Sequence, residues 1–255
     1  MMKFLDILFP PKCICCSEIL EYDCGESPMC KHCSAKWETA KELCRIESFG
    51  QPVREYNFGI GGESGSVLYL VNYTPGEKDT VESRLMLNLK DRATGRIVRF
   101  TASELASVIT EQMLCGWDTC DAVITWIPRR RSAVINKGFD HMERVAKALS
   151  GILGIPCRKL LKRRLFSAEQ KTLSGQKRRE NAGRSMYISS GTDLTGKTVV
   201  IIDDIITSGA SIDTATELLA RAGAKLVTAV TVSATRRHGD RQRAVEDVFN
   251  IIKNR

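Results

Sequence analysis

Hydrophobic positions along the chain fall into two kinds of run. Continuous stretches of branched apolar residues, "SVLYLVNY" (66–73), "DAVITWIP" (121–128), "TVVII" (198–202) and "LVTAVTV" (226–232), predict strands buried on both faces, as in a parallel sheet. Elsewhere the apolar residues recur at helical spacing. Leu105, Val108, Ile109 and Gln112 mark a helix over 101–114 behind a Thr101-x-x-Glu104 capping box, and Met142, Val145, Ala146 and Leu149 mark another over 139–149. A helix over 211–222, closed by Gly223 at the usual C-terminal cap position, separates the last two strands. Strand, helix, strand in one direction predicts an α/β fold with a parallel sheet and right-handed crossovers.

Near residue 50 this pattern stops. Seven of the ten cysteines lie in the first 44 residues, among few branched apolar side chains, so that segment needs a staple to fold. Cys13-x2-Cys16 and Cys30-x2-Cys33 are two thiolate pairs at the spacing that lets two knuckles converge on one tetrahedral metal. Cys15 and His32 lie close enough to substitute for one ligand, and Cys24 and Cys44 are left over. Four thiolates leave no open coordination position, so the expected ion is a structural Zn2+. The resulting division is a four-cysteine zinc ribbon over 1–48, a glycine-rich polar linker over 49–66, and an α/β domain over 67–255.

Charge narrows the partners. A net charge of +8 favours a polyanion or a phosphorylated small molecule. The apolar opening is interrupted by Asp6 and ended by Pro10 and Pro11, and no stretch reaches 18 apolar residues, so neither a leader nor a membrane span is expected and the location read is cytoplasmic. Trp37, Trp117 and Trp126 are dispersed and read as core, while His141 and His238 read as surface or satisfied histidines.

The candidate chemistry lies in "VVIIDDIITSGAS", residues 199–211. Ligands of parallel α/β sheets sit beyond the carboxyl ends of strands, where Asp203 and Asp204 fall. Thr207, Ser208, Gly209, Ala210 and Ser211 then offer backbone N–H groups, hydroxyls and a helix N-terminus, which is a cradle for an anion. Carboxylates repel phosphate, so the acids suit sugar hydroxyls or Mg2+ and the loop suits the phosphate. Two basic segments could complete the site: Arg129, Arg130 and Arg131 after a strand, with Lys137 and Gly138 before a helix, and a stretch over 163–186 that reads as an exposed flap.

The "DDIITSGAS" context resembles the phosphoribosyl pyrophosphate (PRPP) signature of type I phosphoribosyltransferases. The order of segments, from the cysteine pairs through Pro128 with Arg129 to Arg131, Lys137-Gly138-Phe139-Asp140, and Arg164, Ser167, Gln170, Leu173, Arg178 and Asn181, to the signature, resembles the ComF family. Lysine at 137 and aspartate at 140 depart from the arginine and asparagine of that pattern. The resemblance implies a type I phosphoribosyltransferase-like domain behind a zinc ribbon. In it Asp203 and Asp204 hold ribose hydroxyls, residues 207–211 hold the 5′-phosphate, and Arg129, Arg131 and Lys137 hold the pyrophosphate of PRPP with Mg2+. It further implies a link to DNA uptake or utilisation, with DNA-uptake or recombination proteins as partners. The acceptor of any transfer is not legible. The alternative is a non-catalytic single-stranded DNA-binding accessory protein that uses the site to sense a nucleotide.

Overall fold

The structure is a computed structural model that describes residues 10–21, 24–48, 53–57, 64–114, 120–164 and 186–236. The elements in chain order are α1 (Lys31–Glu47), β1 (Val53–Asn57), β2 (Ser64–Tyr73), α2 (Val81–Asp91), α3 (Gly95–Leu114), β3 (Ala122–Trp126), α4 (Arg131–Lys137), α5 (His141–Leu153), β4 (Leu161–Arg163), β5 (Met186–Ile188), β6 (Thr198–Ile206), α6 (Ala210–Arg221) and β7 (Leu226–Thr235).

Five strands form one sheet in the order β1-β2-β7-β6-β3. β6 sits between β3 and β7 and runs parallel to both, with Val200 opposite Ile124 on one side and Thr228 on the other. β7 is parallel to β2, and β1 closes the edge antiparallel to β2. Strand side chains alternate between faces, so the sheet has two cores. Val200, Ile202, Val230, Ile124 and Trp126 face α2, α3 and α5, while Val199, Ile201, Ala229 and Val123 face α6 through Ile212, Ala215 and Leu219. Covered on both faces, the central strands needed the continuous branched runs that the sequence carries.

Three expectations change. α3 begins at Gly95, so Thr101 is a buried interior residue and Glu104 caps nothing. The apolar stripe simply extends backwards through Ile97, Val98 and Ala102, all buried. Residues 53–57, within the span read as a linker, pair with β2, which itself starts at Ser64. An edge strand needs backbone partners on one side only, which a polar sequence satisfies as well as an apolar one. The basic loop after β3 contains the short helix α4, with no buried residue to give it an apolar stripe.

The cysteine-rich segment is not detached. Cys13, Leu20, Met29, Cys33 and Trp37 belong to the same core cluster as Leu85 and Leu89 of α2 and Leu105 of α3. Trp37 is 1% exposed, and its Nε1–H donates to Glu104 Oε2 at 2.9 Å; Lys41 Nζ meets the same oxygen at 2.8 Å. Arg96 donates to the carbonyls of Gly25 and Ser27, and Asn88 Nδ2 to that of Ile14 at 3.3 Å. No described helix is long and apolar enough to cross a membrane.

Candidate functional site

The site is built from the carboxyl end of β6. Pleating sends consecutive side chains to opposite faces, so Asp203 and Asp204 diverge. Asp204 is buried, and its Oδ2 receives two partners: His141 Nε2 at 2.8 Å and Lys90 Nζ at 3.2 Å. Burial would push the Asp204 carboxyl up, but the hydrogen bond from His141 and the charge of Lys90 outweigh it and hold it below the usual carboxylate range. Asp203 accepts the Asp204 backbone N–H through Oδ1 at 2.9 Å. Burial and the neighbouring Asp204 charge drive its carboxyl well above the ordinary value. Two adjacent acids in one sequence therefore have opposed environments: Asp204 is fixed as an anion, and Asp203 favours a proton until a cation or donor arrives.

Immediately beyond lies the cradle. Thr207 and Ser208 are exposed, and Gly209 takes the left-handed conformation (φ +82°) as the N-cap of α6, a position that glycine occupies without strain. Among the described residues no side chain caps this helix. Its first-turn N–H groups thus remain available to an anion, reinforced by the positive end of the helix dipole, with the Thr207, Ser208 and Ser211 hydroxyls alongside. Asp213 sits in the same first turn; burial pushes its carboxyl up to about 6, which removes the negative charge that would oppose an anion at lower pH.

The basic segment is braced by its neighbours. Arg129 donates its backbone N–H to Asp140 Oδ2 at 2.9 Å and its Nη1 to the Lys90 carbonyl at 3.0 Å. Arg130 and Arg131 are exposed at the start of α4. Lys137, at the other end of α4, pairs with Asp91 at 2.7 Å and holds that carboxyl below the usual range. Gly138 (φ +78°) ends the helix, and Asp140 then caps α5 by accepting the Met142 N–H at 3.1 Å. The aspartate that departs from the expected asparagine thus joins the β3 exit to the start of α5. Arg163, on β4, donates to the Pro128 carbonyl at 2.6 Å and feels the attraction of Asp203.

Sequence reasoning placed the acids, the cradle and the basic loop, and the fold brings Asp204, Lys90, His141, Arg129 and Asp140 into one connected cluster. It missed Lys90 and His141. Their signal is tertiary: His141 is 63 residues from Asp204, and only the register of α5 against β6 joins them. Ser167, Gln170, Leu173, Arg178 and Asn181 of the flap, with Trp117 and His238, lie outside the described residues.

The four cysteines form a second centre. Cys13 and Cys16 sit on a knuckle closed by the Lys12–Ile19 bridge and the Cys13 N–H to Glu18 carbonyl bond at 2.7 Å, while Cys30 caps α1 and Cys33 lies in its first turn. All four Sγ atoms lie within 4.8 Å of one another, and those of Cys16 and Cys30 are 3.6 Å apart. Thiolates about 2.3 Å from a tetrahedral ion stand about 3.8 Å apart, so the set fits zinc. Burial raises Cys13, but the backbone N–H groups of Cys16, Cys30 and Cys15 bring it down to about 7, so one ligand is ready to deprotonate near neutral pH. Cys15 and His32 are not members of the cluster.

Residues 136–255 match the family model of the phosphoribosyl transferase domain. No curated protein matches the chain. Solved structures similar to it include a hypoxanthine phosphoribosyl transferase of Trypanosoma cruzi, 15% identical over 55% of this chain and 65% of that one, with a TM-score of 0.36. A Staphylococcus aureus hypoxanthine phosphoribosyltransferase is 16% identical over 53% and 64%, with a TM-score of 0.33. A Pyrococcus horikoshii purine phosphoribosyltransferase is 24% identical over 52% and 70%, with a TM-score of 0.31. The chain thus spans less than two thirds of either hypoxanthine enzyme. The fold is α/β with a parallel sheet, its residues from 136 onward similar to the phosphoribosyl transferase domain, and it carries a cluster of four cysteines near the N-terminus.

Proposed function

We propose that this domain binds a ribose 5-phosphate, with PRPP as the full ligand, in the manner of the ComF proteins. The observation that carries the reading is the junction of an ionised Asp204 with an uncapped helix N-terminus behind left-handed Gly209. The acids accept hydrogen bonds from ribose hydroxyls, residues 207–211 enclose the 5′-phosphate, and Arg129, Arg131 and Lys137 face the pyrophosphate. Lys137 must exchange Asp91 for that ligand, a small cost for a half-exposed pair.

Mg2+ suits this donor set: Asp203 offers a hard oxygen with its second carboxylate atom, and PRPP brings the rest. Bound there, the ion would offset the negative charge of the pyrophosphate. In transfer, a nucleophile forms a bond to ribose C1 as the C1–O bond to pyrophosphate breaks, and the electron pair leaves with the pyrophosphate. The protein's part is positioning and electrostatics. The ComF reading also carries a role in DNA uptake or utilisation, supported by the cysteine cluster joined to this domain and by the basic balance of the chain.

Calorimetry with PRPP and Mg2+ tests the reading. Wild-type protein is expected to bind. Gly209→Val, which puts a β-branched residue at φ +82°, is expected to abolish binding, and Asp204→Ala to weaken it at least tenfold. No heat with wild-type protein, or binding that survives Gly209→Val, overturns it.

A further inference from the structure

Resting on that reading of the site, we propose that His141 is a positioning residue: it locks the Asp204 carboxylate so that Oδ1 alone is presented to a ribose hydroxyl, and thereby sets the preference for a sugar phosphate over bare phosphate. His141 Nε2 and Lys90 Nζ both fall on Oδ2, at 2.8 and 3.2 Å, which leaves Oδ1 for a ligand. An ionised carboxylate only accepts, so Nε2 carries the ring proton. Nδ1 is buried with no hydrogen-bond partner among the described residues. His141 therefore commits its Nε2–H to Asp204.

The division between the two partners follows from their shapes. Lys90 supplies charge on a flexible stem and is about one third exposed, so by itself it fixes the carboxylate's charge better than its direction. The imidazole is 5% exposed and stands in the first turn of α5. Its ring is anchored by the start of that helix, where Asp140 ties the Met142 and Arg129 N–H groups together. The Lys137–Asp91 pair braces the same joint from the other side, since Asp91 adjoins Lys90. The result is a carboxylate held from two helices, α2 and α5, before any ligand arrives, and such preorganisation favours the ligand that uses it.

The experiment measures binding of two probes, ribose 5-phosphate and inorganic phosphate, to wild type, His141→Leu and His141→Gln. Glutamine places an N–H donor near the position of Nε2, whereas leucine fills the space without one. The expected result is ribose 5-phosphate binding about tenfold weaker in His141→Leu, inorganic phosphate changed by less than about twofold, and ribose 5-phosphate binding largely restored in His141→Gln. Equal losses for both probes, unchanged ribose 5-phosphate binding in His141→Leu, or failure of glutamine to restore it would each overturn the proposal while leaving the site reading intact. Wild-type protein that binds neither probe overturns the site reading and the proposal with it. Independently of any ligand, the imidazole 15N resonances of His141 are expected to shift in Asp204→Asn; their staying in place overturns the His141–Asp204 coupling itself.

Discussion

Removing the Glu104 carboxylate should destabilise the protein, because that group accepts from both Trp37 and Lys41 where the cysteine-rich segment packs on α3. Trp37 is 1% exposed and gives its indole N–H to Glu104 Oε2 at 2.9 Å. In Glu104→Leu that donor is left buried without its partner, at a cost of about 1–3 kcal/mol. Lys41 loses the same oxygen but keeps Glu38 at 2.9 Å, so this adds only about 0.5 kcal/mol. The sum is about 1.5–3.5 kcal/mol, which corresponds to a fall in Tm of roughly 3–14 °C for a chain of this size. Glu104→Gln keeps a carbonyl oxygen for the indole and should cost about 1 kcal/mol. Thermal unfolding followed by far-UV circular dichroism, with zinc present in excess, measures both. A leucine variant within about 1 °C of wild type, or a glutamine variant less stable than the leucine one, would refute the argument that the buried indole N–H is what matters.

Two further outcomes follow from other parts of the molecule. Stripping the metal with a chelator should release one zinc per chain and disorder residues 10–48, because those residues bury too little apolar surface alone; a protein with no zinc, or one whose proteolysis pattern is the same with and without chelator, argues against the centre. Asp213, pushed up to about 6 by burial, binds its proton more readily folded than unfolded. Its contribution is therefore fully present below the unfolded value of about 3.9 and lost as pH rises through about 6. Asp213→Asn should stabilise the protein by about 1 kcal/mol more at pH 7.5 than at pH 4.5, a modest figure because the group keeps some contact with solvent; equal urea midpoint shifts at the two pH values would remove the claim.

What the chain declares locally, it declares well. The runs at 198–202 and 226–232 became β6 and β7 because strands covered on both faces must be apolar throughout, and the acids and cradle followed from their place at the end of β6. α2 is equally legible in Val81, Leu85, Met86 and Leu89 behind the Thr80 cap. The false capping box shows the limit of a four-residue pattern: Thr101-x-x-Glu104 sits mid-helix because burial of Ile97 and Val98 outweighs any cap signal. Lys90 and His141 were invisible for a different reason. Neither lies near Asp204 in sequence: Lys90 alone is an ordinary helix-end cation and His141 reads as a surface or satisfied histidine, and only the sheet order brings α2 and α5 to the same strand end.

One feature of the sheet bears on how the molecule meets others. β3 is the last strand on its side, yet the Ile124 N–H bonds to the Pro156 carbonyl at 2.8 Å and the Ile124 carbonyl receives the Arg158 N–H at 2.9 Å. The segment that follows α5 is thereby a seal along the middle of β3. A foreign strand cannot extend the sheet there without first displacing it. Among the described residues the opposite rim of the sheet ends in β1, antiparallel to β2, so the sealed rim is the one nearer the acids and the cradle.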